Sequence, residues 1–129
     1  MSDIRQVVLI VEDESGIRKA IERIVLSIFP GVEIIAILDE QGALEAFENN
    51  KDSISLITMD GKLDNGGYGP HVVQQLRDQG CQSVIIMCSS SDESIRKGEA
   101  AGANAGISKT YMEYELESII RQYCVPSLG

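Results

Sequence analysis

Five short apolar runs, each followed by a stretch with helical spacing, constrain this chain more than any single residue does. Val7-Val8-Leu9-Ile10-Val11 is uninterrupted and mostly branched, and Glu12-Asp13-Glu14 ends it abruptly, as expected of a strand buried on both faces. Beyond it, Ile17, Ala20, Ile21, Ile24, Val25 and Ile28 recur at helical spacing, so residues 15–29 are expected to form a helix stopped by Pro30-Gly31. Residues 32–38 read as the next strand, and Asp39 can cap a helix whose Ala43, Leu44 and Phe47 face inward. Residues 54–59 form a third strand with Asp60 at its exit. A glycine-rich loop over 61–69 follows, then Pro70 at a first helical position and the stripe Val72, Val73, Leu76. A strand over 84–88, a helix over 92–101, a weak strand over 105–108 and a last helix marked by Leu116, Ile119, Ile120 and Tyr123 complete the series. Strands separated by helices need crossover connections. The fold class is therefore α/β, a five-stranded parallel sheet with helices on both faces and functional residues outside the strands' carboxyl ends.

At 129 residues and 43% hydrophobic, the chain suffices for one domain with its own core. Residues 1–123 are expected to form that domain and 124–129 a short tail or the start of a linker. Eleven Lys plus Arg against twenty Asp plus Glu give a net charge of −9, which does not suit displacement of counterions from nucleic acid and better matches a basic partner patch. Cys81, Cys88 and Cys124 lack CxxC spacing, and with a single histidine they make no ordinary zinc site. A reducing, cytoplasmic setting is the expectation. The opening Met1-Ser2-Asp3-Ile4-Arg5 does not read as a secretory leader, and no apolar run approaches the roughly 20 residues a membrane span needs.

Glu12 and Asp13 follow the first strand and Asp60 the third, so a parallel sheet puts the three on one edge. Adjacent anions repel, and a divalent cation that prefers oxygen compensates them; Mg²⁺ is the cellular candidate. Taken singly, each acid also reads as part of a solvated helix entrance favoured by the macrodipole. After the fourth strand, the Ser89 hydroxyl can donate to an anionic oxygen, and after the fifth the Lys109 ammonium can offset developing charge. Alone, Ser89 reads as a loop cap and Lys109 as a surface lysine. Together with Asp60 they suggest acceptance of a small, highly charged phosphoryl group. A serine-hydrolase triad is not assembled, because His71 is the one histidine and reads as a surface side chain.

At this point the chain resembles the CheY-like response-regulator receiver family over nearly all of residues 5–123. The resemblance rests on Glu12-Asp13, Asp60, Ser89 and Gly102-Ala103-Asn104-Ala105-Gly106-Ile107-Ser108-Lys109 in this order and spacing. It implies the flavodoxin-like receiver topology. It further implies that Glu12 and Asp13 help hold Mg²⁺, that Asp60 receives phosphate from a phosphohistidine, that Ser89 senses the phosphoryl group and that Lys109 contacts it. The backbone carbonyl of Lys62 would occupy the family's additional metal-coordinating position. The chain departs from the family pattern in three places. Leu63-Asp64 stands where Met-Pro is frequent, in a loop that reads one residue longer; Gly106 replaces an aromatic; Thr110 follows Lys109 where proline is usual. Met87 and Cys88 read as core side chains and Tyr111 as a surface aromatic.

The function these features imply is a phosphoacceptor receiver of a two-component phosphorelay, using Mg²⁺ and changing partner binding on phosphorylation. Its chemistry would be self-phosphorylation and autodephosphorylation at Asp60, with no turnover of a separate metabolite. Its partners would be a sensor histidine kinase or phosphotransfer protein and an output protein or attached output domain. Neither nucleic acid nor membrane would be bound by this chain, and the expected state is a monomer or weak homodimer. The contrasting reading is a phosphorylation-independent docking pseudo-receiver, suggested by Gly106, Thr110 and the altered loop. A phosphatase acting on a separate metabolite ranks third, because no insertion builds a substrate cap.

Overall fold

The computed structural model describes residues 6–124. Strands β1 (Val7–Val11), β2 (Glu33–Ile37), β3 (Ile54–Met59), β4 (Val84–Ser89) and β5 (Ala105–Ser108) pair in parallel in the order β2-β1-β3-β4-β5. Helices α1 (Ser15–Ile28), α2 (Glu40–Asn49), α3 (Gly69–Asp78), α4 (Asp92–Ala101) and α5 (Met112–Cys124) alternate with them, α5 being preceded by a 3₁₀ turn at Lys109–Tyr111. This is the expected five-stranded α/β architecture.

The unbroken apolar reading of β1 has its cause in the two layers that sandwich it. Val7, Leu9 and Val11 pack with Ala43, Phe47, Val72 and Leu76 of α2 and α3. Val8 and Ile10 pack with Ile21, Val25, Leu116 and Ile120 of α1 and α5. Each fully buried Leu or Ile contributes roughly 1.5–3 kcal/mol, and Leu9, Ile10, Leu56, Ile57, Ile85 and Ile86 are all buried at the sheet centre. The edge strand β2 is only half-buried, with Glu33 and Ala36 exposed.

Strand order reverses at β1. The chain leaves β1 for β2 on one side and returns to β3 on the other, which opens a crevice at the carboxyl ends of β1 and β3. The Asp60 backbone N–H donates to the Val11 carbonyl at 3.0 Å, so Glu12 and Asp60 leave the sheet side by side.

Most helix ends follow the sequence reading. Asp39 caps α2, its Oδ1 accepting from the Gly42 N–H at 2.8 Å, and Pro70 lies in the first turn of α3. Three details differ. Ser89 is the last residue of β4 rather than the first beyond it, because its pairing opposite Ser108 extends the ladder to that point. Cys124 closes α5 where the tail was expected to begin; residues 125–129 of that expected tail, and the opening residues 1–5, lie outside the described residues. The glycine-rich stretch is a tight hairpin rather than a simple loop. Asn65 (φ 61°) and Gly66 (φ 76°) are both left-handed, the Gly67 N–H donates to the Asp64 carbonyl at 3.2 Å, and Lys62 bridges Tyr68 in antiparallel fashion. Asn-Gly is the dipeptide that such a type I′ turn demands.

At the opposite end of the sheet, Arg77 of α3 donates to the carbonyls of Cys81, Ser83 and Gly102 and to Asn104 Oδ1. Asn104 Oδ1 also accepts from the Ile85 N–H at 2.9 Å. The first part of the Gly102-to-Lys109 motif is thus a structural tie between α3, β4 and β5, and its last residue alone reaches the crevice.

Candidate functional site

Glu12, Asp13 and Asp60 each place one carboxylate oxygen within 4.8 Å of the others at the crevice. Glu12 and Asp60 are buried and Asp13 is half-buried. The Asp60 carboxylate is fixed by its own loop, Oδ1 accepting from the Gly61 N–H at 2.6 Å. That loop can pass so close because Gly69 has no side chain: a Cβ there would collide with the Asp60 carbonyl, and the Gly69 N–H donates to the Gly61 carbonyl at 2.8 Å.

Lys109 enters from β5 and spans the cluster. Its Nζ lies 3.1 Å from Glu12 Oε2, 3.1 Å from Asp60 Oδ2 and 3.2 Å from Glu14 Oε1. Burial works against the charged ammonium, but the facing Asp60 and Glu12 carboxylates outweigh it, so the Lys109 pKa lies above the ordinary lysine value. Glu12 moves the other way for a carboxylate. Burial chiefly, and then the Asp60 charge, push it up to about 7, against the lowering influence of Lys109. Glu12 Oε2 also accepts from the Glu14 N–H at 3.1 Å, whereas Glu12 Oε1 is buried with no hydrogen-bond partner among the described residues.

This donor set suits a hard divalent cation. Three carboxylates converge, no histidine or cysteine among the described residues joins them, and a buried oxygen is left over. The coarse expectation of an acidic metal-binding cluster is therefore met by the residues present. Lys62 lines the same cleft, of about 520 Å³, together with Asp13, Asp60, Ser89 and Lys109, with its side chain exposed.

Ser89 is buried at the end of β4 with its Oγ accepting from the Ser91 N–H at 3.1 Å. Ser91 in turn caps α4, its Oγ accepting from the Ser94 N–H at 3.1 Å. The cap of α4 is thus Ser91, and Ser89 is one hydrogen bond removed from it. All six residues expected at the site, Glu12, Asp13, Asp60, Lys62, Ser89 and Lys109, meet at one end of the sheet. His71 is exposed on α3 and takes no part in the cluster. Met87 and Cys88 are buried, as expected, and burial above all pushes the Cys88 thiol up to about 12, so it is no nucleophile. Tyr111 is exposed.

Two features escaped the sequence reading. The first is Glu14, a third partner of Lys109, whose position after the paired acids gave no hint of a contact 95 residues away. The second is Asp64, raised above the ordinary carboxylate value by desolvation and then by the charge of Asp13 beside it; the Asn65-Gly66 turn is the signal that would have brought it there.

Gly106 proves to be a packing requirement. A Cβ there would run into Ile95 Cγ2 of α4, so Ile95 occupies the space beside β5. The Thr110 N–H is used as well, donating to Ser108 Oγ at 3.2 Å, a bond that proline could not make.

A family model described as the response regulator receiver domain matches residues 8–121. Among solved structures, the phosphorylated cyanobacterial phytochrome response regulator RcpA matches with a TM-score of 0.81 at 16% identity, covering 94% of this chain and 95% of that one. The Mn²⁺-bound response regulator Rcp1 matches with a TM-score of 0.79 at 15% identity, covering 94% and 96%. CheX–CheY–BeF3–Mg²⁺ from Borrelia burgdorferi matches with a TM-score of 0.78 at 21% identity, covering 92% and 89%. At such identities the likeness carries the fold. A search of curated proteins returned no match.

Proposed function

Because the chain belongs to the response-regulator receiver domain family, we propose that it is a phosphoacceptor, taking a phosphoryl group from a phosphohistidine donor onto Asp60. The observation that carries this reading is the Lys109 ammonium set 3.1 Å from both Asp60 and Glu12 inside the three-carboxylate cluster. Glu12, Asp13 and the carboxylate of Asp60, with the Lys62 carbonyl, would hold Mg²⁺. When bound, that ion supplies shielding of the phosphoryl oxygens from the surrounding carboxylates.

In the reaction an Asp60 carboxylate oxygen attacks phosphorus, the donor's N–P bond breaks, and the departing imidazole keeps the electron pair and takes up a proton. The Gly61 N–H holds the carboxylate in one rotamer, which keeps its oxygens aimed into the cleft. Lys109 offsets charge on the transferred group. The Ser89 hydroxyl donates to a phosphoryl oxygen, and its turn toward the phosphate withdraws the acceptor of the Ser91 N–H beside the α4 cap. Hydrolysis of the acyl phosphate by water restores Asp60.

The donor would be a sensor histidine kinase or phosphotransfer protein, the site of action the cytoplasm, the functional unit residues 1–123, and the resting state a monomer or weak homodimer. Among the described residues no helix is long and apolar enough to cross a membrane. Acetyl phosphate with Mg²⁺ should add one phosphate to the intact protein but none to Asp60→Asn, read by mass. Equal labelling of both would sink the assignment. A phosphorylation-independent docking role keeps one supporting observation, the filling of the Gly106 side by Ile95. Partner binding indifferent to Mg²⁺, to phosphoryl donor and to Asp60→Asn would favour it.

A further inference from the structure

Three carboxylates crowd the Lys109 ammonium before any phosphoryl group arrives: it donates hydrogen bonds to Glu12 Oε2 and Glu14 Oε1, and Asp60 Oδ2 lies 3.1 Å away as an ion pair. An incoming phosphoryl oxygen competes with them for the ammonium. The partners are far from equal. The Glu12 side chain is 1% exposed, so leaving it unpaired costs the desolvation of a buried polar group, and Asp60, 7% exposed, stays beside Lys109 through the phosphoryl group bonded to it. The Glu14 side chain is 67% exposed, and water replaces its lost partner at once.

Glu14 is also free of the task its position would suggest. It is the N-cap of α1, yet its side chain makes no capping hydrogen bond there, and glutamate is not among the residues favoured at that position. Its backbone does the local work, the N–H donating to Glu12 Oε2 and the carbonyl accepting from the Arg18 N–H at 2.9 Å. The carboxylate reaches across to Lys109 instead.

We propose that Glu14 is a positioning residue that competes with the phosphoryl group for Lys109, so that phosphoryl acceptance at Asp60 proceeds by exchange of the Glu14 carboxylate for a phosphoryl oxygen on the Lys109 ammonium. The inference rests on the receiver reading above. It makes Glu14 a brake, since the phosphoryl oxygen competes for Lys109 with an ion pair that does nothing for the chemistry.

The test is Glu14→Gln, which removes the charge and keeps the shape, made in the full chain and again in a Lys109→Met background. Labelling by acetyl phosphate in Mg²⁺ is followed by intact mass, and affinity for beryllofluoride, a phosphoryl mimic that needs no turnover, by titration. In the Lys109 protein, Glu14→Gln should accept phosphate about two- to fivefold faster and bind beryllofluoride tighter by a similar factor, the range of an exposed ion pair. In the Lys109→Met background the same substitution should change neither. An equal gain in both backgrounds would mean that Glu14 acts only by repelling the anionic donor, and would overturn the exchange. An unchanged rate and affinity in the Lys109 protein would overturn it too, while leaving acceptance at Asp60 intact. Failure of the wild type to label at all would strike the receiver reading beneath.

Discussion

Replacing Glu12 by Gln in the metal-free protein should change how stability depends on pH, and the size of the change follows from the burial of one carboxyl. In the folded chain Glu12 is pushed from 4.5 to about 7, first by burial and then by Asp60. At about 1.4 kcal/mol per pH unit, that is about 3 kcal/mol of preference for the protonated form on folding. The folded value lies above the unfolded one. The stabilisation is therefore fully present below pH 4.5, declines as pH rises, and is gone above about 7. Between pH 5.5 and 8, where most other carboxylates stay ionised, about 2 kcal/mol of it should be lost. Glu12→Gln keeps the shape and cannot titrate. Urea unfolding in a chelator, followed by far-ultraviolet circular dichroism at both pH values, should show the wild type losing about 2 kcal/mol more than the variant over this interval. The difference between the two proteins cancels the titrating groups remote from Glu12 and isolates Glu12 together with the charges coupled to it. At pH 8, Mg²⁺ should then raise the wild type more than the variant, since glutamine offers the ion one carboxylate fewer. Parallel pH profiles for the two proteins would refute the argument that Glu12 is held in the fold at a cost.

Asp13→Asn should weaken Mg²⁺ binding by calorimetry with an unchanged circular-dichroism spectrum, because the half-buried side chain offers an oxygen rather than core volume. Ser89→Ala should still be labelled at Asp60 but lose the phosphorylation-dependent change in partner affinity; labelling with an undiminished affinity change would exonerate Ser89. Gly106→Ala should cost about 1–3 kcal/mol in urea unfolding through collision with Ile95 Cγ2, and a second substitution, Ile95→Ala, should abolish that added cost. If Gly106→Ala costs the same with Ile95 removed, the glycine is required by its backbone and not by its neighbour.

The parts of this molecule that could be read from the chain are those that repeat or that sit at a fixed offset from something that repeats. The strands over residues 54–59 and 105–108 and the helix over 92–101 stand at the bounds expected, because apolar runs and turn residues delimit them locally. Asp60 was found for the same reason: it is the first polar residue after a buried strand. Where a boundary moved, a long-range partner moved it. Ser89 joined β4 because Ser108 pairs with it across the ladder, and no local pattern records that pairing.

The Gly61–Gly69 stretch was legible in principle. Asn65-Gly66 is a strong hairpin signal, but it normally announces itself between alternating apolar strands. Here the flanks are Lys62-Leu63-Asp64 and Gly67-Tyr68-Gly69, too short and polar to read as strands, so glycine content alone was seen. The roles within Gly102–Lys109 divide along the same line. Asn104 is tied to Arg77 and Ile85 at the far end of the sheet and Lys109 to the carboxylates at the near end, so a motif recognised as one unit serves two purposes five residues apart.

Glu14 shows where sequence reading stops for a physical reason. Beside Glu12 and Asp13 it looks like one more charge at a helix entrance, and the macrodipole gives that reading an adequate cause. Only two observations together contradict it: the side chain caps nothing on α1, and an ammonium from β5 stands 3.2 Å away. The second depends on the parallel order of the sheet, which brings the ends of β1, β3 and β5 to one edge. Once that order is known, the distribution of charge follows. The buried pair Glu12 and Asp60 binds Lys109 firmly and sets where it sits, while the exposed Glu14 binds it exchangeably and sets how readily it leaves for a phosphoryl oxygen. The chemistry of acceptance and its rate are thereby assigned to different carboxylates, and a substitution at Glu14 can alter the second without touching the first.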